Sequence, residues 1–178
     1  MNAEIKKERL QSRLGPEIKE FRESKKTLQL ATVCKDGKPN VSYAPFISLE
    51  DGYYVLISEI ARHTRNLMEN PQASLMLIED EATAKTIFAR MRLTFDADAQ
   101  LIERESEKWN QVISVMKESL GEIIDSLSGL EDFKLIRLQP KNGLFVKGFG
   151  KAYQVSDNDL VDFVHLDKGH TKVEQKTA

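Results

Sequence analysis

The chain has 178 residues, and its 26 Lys plus Arg nearly balance 28 Asp plus Glu, for a formal charge of −2. That length suits one domain with a real core, and the balance removes the main electrostatic case for nucleic acid, which needs a basic excess or stripe. The single cysteine, Cys34, can form neither an internal disulfide nor a zinc cluster alone, which points to a reducing compartment.

The segment from Met1 to Lys26 is heavily charged and has no apolar h-region, so neither a secretory signal nor a membrane span is expected and a cytoplasmic soluble protein follows. Within it, residues 3–23 read as an amphipathic helix, with Ile5, Leu10, Leu14, Ile18 and Phe21 about four apart. Gly15-Pro16 predicts a break into two helical pieces, with Pro16 in the first turn of the second. The period then drops to two. Thr27–Cys34, Pro39–Leu49 and Tyr53–Ile57 predict three strands of a β-meander, joined by tight turns at Asp36-Gly37 and Asp51-Gly52.

Ser58 to Pro71 predicts a helix with Ser58 as N-cap and Asn70-Pro71 as its stop. Ala73–Ile78 is almost wholly apolar and predicts a strand buried on both faces. Ile87–Phe95 alternates, which would place Phe88, Arg90, Arg92 and Thr94 on one face. Two arginines on one strand face indicate either solvent exposure or an anion-binding cleft. Residues 104–127 read as a second helical region whose apolar stripe (Trp109, Val112, Ile113, Met116, Leu120, Ile123, Ile124, Leu127) steps by three and four without a miss, with Gly121 a mild weakness. Phe133–Leu138 and Leu144–Val155 read as strands about a turn at Pro140 and Asn142-Gly143. Gly148 and Gly150 mark a bend, a bulge or the close approach of a planar ligand. Ser156–Asp159 is expected to cap a short helix from Leu160 to His165, ended by Gly169. The fold class expected is mainly β with peripheral helices (α+β): one domain over 1–178, a six- to seven-stranded antiparallel split barrel with an N-terminal helical segment (1–23) and a C-terminal helix and tail (156–178).

Two of the chain's three histidines, His165 and His170, fall in its last tenth. Imidazole is the commonest protein ligand for metals, so the stretch is either a metal or metal-cofactor ligand or a solvated tail with incidental histidines. Five residues apart on a helix means about 140° around the axis, so the two could not face one ligand. Gly169 frees His170 to swing away, which favours His170 and leaves His165 a structural residue.

The order of elements, with Ser58 followed by His63-Thr64-Arg65-Asn66-Leu67, Asn70-Pro71 and an apolar strand, resembles the FMN-binding-like split barrel of pyridoxamine 5′-phosphate oxidase over about residues 16–155. The His-Thr-Arg-Asn-Leu variant and the tail ending in His-x-x-x-x-His resemble, within that superfamily, the haem-utilisation proteins of the HugZ/HutZ type. The resemblance implies a cytoplasmic homodimer that binds haem at the subunit interface. It implies that haem is both cofactor and substrate, opened with O2 and electrons from an external donor through verdohaem to a biliverdin-type product, with iron released for iron acquisition. It allows for a haem-delivery protein as a further partner. Position by position, His170 matches the ligand of the haem iron. Asp132 matches the acidic partner of that ligand, contributed by the other subunit, and Arg92 matches the arginine on the distal side. His63 matches the histidine of the helix-start motif and is a cofactor-binding candidate, near the dimer interface or the former phosphate end of a flavin site.

Chemistry gives these assignments content. A single histidine on haem iron leaves the opposite face open to O2, and a carboxylate on its second nitrogen fixes the ring and raises its basicity. Arg92 could donate hydrogen bonds on the open face but stays protonated and cannot act as a base. Phe145, Val146 and Phe163 are candidate apolar walls. Two other readings stand beside this one. An FMN-dependent oxidoreductase would need a phosphate cluster, for which Ser58, Arg62 and Arg65 are candidates. A non-catalytic haem storage or delivery protein would need His170 but not Arg92.

Overall fold

The computed structural model describes residues 3–156 and 161–163. A helix, α1 (Ala3–Glu23), leads into β1 (Thr27–Val33), β2 (Pro39–Pro45), β3 (Ile47–Leu49) and β4 (Gly52–Ser58). Then follow α2 (Arg62–Glu69), β5 (Gln72–Ile78), a 3-10 turn at Ile87–Ala89 and β6 (Arg92–Ile102). Helices α3 (Glu107–Leu120) and α4 (Ile123–Ser128) precede β7 (Phe133–Gly148), β8 (Lys151–Val155) and β9 (Val161–Phe163). All ladders are antiparallel, in the order β2-β1-β5-β6-β7-β4-β3, with β8 and β9 added beyond β7.

That order closes the sheet. Its two outermost strands, β2 and β3, are consecutive in the chain and separated only by buried Phe46, so the sheet has to curl until its edges meet. The antiparallel split barrel expected from the sequence is therefore present, with nine strands among the described residues rather than six or seven. Both turns of the expected meander form, at Gly37 and Gly52, each with positive φ. The strand between them divides at Phe46: its first half pairs with β1 and its second with β4.

Packing overrides local sequence signals elsewhere. Helix α1 runs unbroken through Pro16, because Leu10, Leu14, Ile18 and Phe21 stay buried in one row against the barrel. That burial offsets the one backbone hydrogen bond proline cannot make. The helical region expected over 104–127 is not continuous: it breaks at Gly121, whose φ is 96°. Trp109, Val112, Met116 and Ile124 pack on Tyr54, Leu56, Ile102 and Leu135 as a second core. β5 has alternating burial and is not buried on both faces. Residues 87–89 form a 3-10 turn, so the strand expected from Ile87 starts only at Arg92, and Phe88 is 82% exposed.

No turn forms at Pro140–Gly143. β7 continues through it, since Leu144–Val146 keep their pairing with Arg92–Thr94 and bury Phe145 and Val146. The irregularity is absorbed as a register shift between Phe95 and Ala97, opposite Pro140. Gly143 is required there for space: a Cβ would lie 2.4 Å from the Phe95 ring and 2.8 Å from the Thr94 carbonyl oxygen. The chain turns instead at Phe149-Gly150, where Gly150 has φ 68°. Val161–Phe163, expected as helix, is a strand on β8. Gln11 of α1 holds it by accepting from Val161 N–H at 2.7 Å. Among the described residues, no helix is long and apolar enough to cross a membrane.

Gly143→Val should destabilise the fold by about 1–3 kcal/mol, a typical cost of overpacking, read as a lower urea midpoint with an unchanged slope.

Candidate functional site

Asp132 sits at the mouth of β7, directly beside the end of β4. Ser58 pairs with Phe133 in the ladder, and its hydroxyl donates to Asp132 Oδ2 at 2.5 Å. The main-chain carbonyl of Asp132 accepts from Glu59 N–H at 2.8 Å. Asp132 Oδ1 has no partner among the described residues, so one lone-pair-rich oxygen remains open on a half-buried carboxylate. The loop that carries it is braced from behind by Arg104, which donates to the carbonyls of Ser128, Leu130 (2.6 Å) and Phe133 (2.9 Å) and lies over the Trp109 ring. Nothing in the sequence pattern singles out Arg104, because its three acceptors lie 24 to 29 residues away. Ser58 is not the N-cap of α2 as expected; that position is Ala61, without a side-chain cap.

Arg92 opens β6, half-buried, opposite Ile78 and Val146. One of its nitrogens donates to the Arg90 carbonyl at 3.3 Å, and the rest of its guanidinium has no partner among the described residues. The pair of arginines expected on one face is not formed. Arg90 is spent on structure, donating to the Glu79 carbonyl and to Glu81 at 3.1 Å. Around the Arg92 end, Ile87, Phe88 and Phe149 are exposed apolar side chains. Phe145 and Val146 are buried in the core and cannot line a ligand. The side chain of Phe163 lies outside the described residues.

His63 projects from the first turn of α2 onto β2, with Nδ1 2.9 Å from Ser42 Oγ. Ser42 Oγ also lies 3.3 Å from the Leu30 carbonyl, to which its hydroxyl can donate. Burial holds the imidazole below its ordinary value of 6.5 and favours the neutral form. Exposed Val41 and Tyr43 lie either side of Ser42 on the outward face of edge strand β2, and exposed Ile60 lies in the β4–α2 loop.

These residues do not make one cluster. Asp132 and His63 both attach to the β4–α2 junction, whereas Arg92 lies at the other end of the β6–β7 ladder. From Asp132 to Val146, the partner of Arg92, is 14 residues, about 45 Å of chain at strand spacing. His170 and His165 lie outside the described residues. The flavin-phosphate candidates are largely committed: Ser58 to Asp132 and to Ile60 N–H, and Arg65 to the carbonyls of Glu59 and Ile60.

The depressed folded value of His63 sets a pH dependence. The unfolded chain takes up this proton first, so the His63 contribution is flat above pH 6.5, and stability falls as pH drops from 6.5 through the lowered folded value. His63→Gln should flatten that part of the profile, read from urea midpoints between about pH 7.5 and pH 5.

The family model for pyridoxamine 5′-phosphate oxidase matches residues 14–147. The chain is 66% identical over 173 residues to the haem oxygenase HutZ of Vibrio cholerae, covering 97% of this chain and 98% of that one. A crystal structure of Vibrio cholerae HutZ, described there as a haem storage protein, superposes with a TM-score of 0.74 at 62% identity, covering 76% of this chain and 96% of that chain. The crystal structure of Campylobacter jejuni ChuZ superposes with a TM-score of 0.83 at 35% identity, covering 91% of this chain and 66% of that chain. With its barrel, its element order and most of its length matched in this way, the chain belongs to the pyridoxamine 5′-phosphate oxidase family and, within it, to the HutZ branch.

Proposed function

We propose that this chain is a haem-binding, haem-degrading oxygenase that works as a homodimer, with each haem bound between subunits. The observation that carries this reading is the placement of two uncommitted groups, Asp132 Oδ1 and the Arg92 guanidinium, at opposite ends of one long ladder. The chain runs through β9 antiparallel to β8, from Val155 back toward Lys151, and so leaves Phe163 heading for the Arg92 end. His170 is seven residues further on, a reach of at most about 24 Å. On this reading His170 and Arg92 of one subunit serve the same haem and Asp132 comes from the other. A two-fold axis supplies it, because each copy offers the other what its own end lacks.

In this reading His170 binds the iron, and the partner subunit's Asp132 holds the proton on the other ring nitrogen and fixes the ring. The exposed Ile87, Phe88 and Phe149 give apolar cover to the macrocycle and keep water from it. Arg92 donates hydrogen bonds on the open side and remains protonated throughout. His63, on the face of β2 opposite exposed Val41 and Tyr43 but following exposed Ile60 of the β4–α2 loop, lies near the subunit contact on this reading. Haem supplies the iron, the oxygen chemistry and the ring that is opened, with O2 and an external electron donor, by way of verdohaem to a biliverdin-type product and free iron. Action in the cytoplasm for iron acquisition, with haem handed over by a delivery protein, completes the proposal. A flavin role is disfavoured by the commitments of Ser58 and Arg65.

Hemin-loaded protein given a reductant in air, with catalase present, should lose its Soret band and release chelatable iron. A stable spectrum would leave a storage protein, and a yellow protein without hemin affinity would sink the haem reading. His170→Ala should lose hemin affinity. Mixing refolded His170→Ala and Asp132→Asn chains should restore about a quarter of the parental rate, since half the dimers are mixed and each holds one intact site of two. No recovery would place both residues in one chain.

A further inference from the structure

We infer that Ser58 is a positioning residue for the reaction: its hydroxyl orients the Asp132 carboxylate so that Oδ1 faces the iron-binding histidine of the other subunit. The inference rests on the reading of Asp132 given above and deepens it. It is carried by the hydrogen-bond pattern around one oxygen. Ser58 Oγ accepts from Ile60 N–H at 3.1 Å and has a single proton to give, which goes to Asp132 Oδ2 at 2.5 Å. The direction of both bonds is therefore determined. The Glu59 N–H on the Asp132 carbonyl, at 2.8 Å, fixes the same residue at a second point. Asp132 is thus held by backbone and side chain together, from a strand end that the β4–β7 ladder locks in register.

A carboxylate free to turn about χ1 and χ2 would meet an imidazole N–H in good geometry only part of the time. A hydrogen bond weakens steeply once it bends, so rotamer freedom costs the histidine its orienting partner. The same O–H bond also draws some charge from the carboxylate and lowers its basicity. Removing Ser58 therefore does two opposed things: it frees the carboxylate and it makes it more basic. Freedom wins, because basicity has no effect on a ring nitrogen that the oxygen does not reach. Arg104 holds the rest of the loop through the main chain and cannot substitute, since none of its bonds reaches the carboxylate.

The test is the iron–histidine stretching mode of the ferrous haem complex, read by resonance Raman for the parent, Asp132→Asn, Ser58→Ala and Ser58→Thr. Ser58→Ala should lower and broaden the band toward the Asp132→Asn position, and Ser58→Thr, which keeps the hydroxyl and suits a strand end, should restore it. Ring opening in Ser58→Ala should slow by about 3- to 10-fold, less than the 10- to 100-fold typical of removing such a partner outright, with hemin affinity held. If Asp132→Asn lowers the band and Ser58→Ala leaves it at the parental position or raises it, the inference is wrong and the reading of Asp132 stands. If Asp132→Asn itself leaves the band unmoved, both fall together. Should Ser58→Ala lose its cooperative unfolding, Ser58→Cys, nearly the same size with a weak donor, carries the same comparison and is expected to shift the band in the same direction.

Discussion

The ladder between β6 and β7 is the constraint on which the rest depends. It runs from Arg92–Val146 to Ile102–Leu135 with one register shift. A slip of one residue would turn its core-facing side chains outward, and Leu93, Phe95, Leu135, Ile136 and Phe145 are all buried along it. The ends of the ladder are therefore held apart by the core itself. Arg92 and Asp132 of one chain thus stand at opposite ends of the same ladder, and it is this separation on which the proposed two-subunit site rests.

The rest of the architecture secures those two ends. At one, α1 plugs the barrel, with Phe21 on Phe145 at 6.0 Å and Lys147 paired to Glu17 at 2.6 Å. The same helix holds β9 through Gln11 and so sets where the C-terminal segment departs. At the other, α3 and α4 pack on β4 and β7, and Arg104 draws the loop before β7 against Trp109. Lys108, paired with Asp51 at 2.9 Å and lying over the Tyr54 ring, ties α3 to the β3–β4 turn. The candidate groups stand on loops and strand ends, and rigid elements carry those loops. This division lets a barrel keep its core while its site changes chemistry.

Signals that depend on neighbours in sequence were legible. The barrel class, the turns at Gly37 and Gly52 and the apolar row of α1 follow from residue type and period, and the structure contains each. Signals that depend on a partner far along the chain misled. Pro16 and Pro140 with Gly143 look like breaks, yet the first lies inside a helix and the others inside a strand, because long-range burial outweighs a local penalty. Ser58 has the sequence position of a helix cap, but its hydroxyl serves a carboxylate 74 residues away.

By itself, then, the sequence determined the chemistry available: two tail histidines, Asp132 heading a strand, Arg92 within one, and a motif centred on His63 that resembles a known barrel. These are properties of residue type and local spacing, which a linear chain displays directly. Only the tertiary structure decided which of them can meet. It separated Asp132 from Arg92 along one ladder, tied Arg90 and Arg65 into backbone contacts, gave Asp132 to Ser58, and set His63 on Ser42. Distance through space is fixed by ladder register and core packing, and those are sums over residues that lie far apart in the chain.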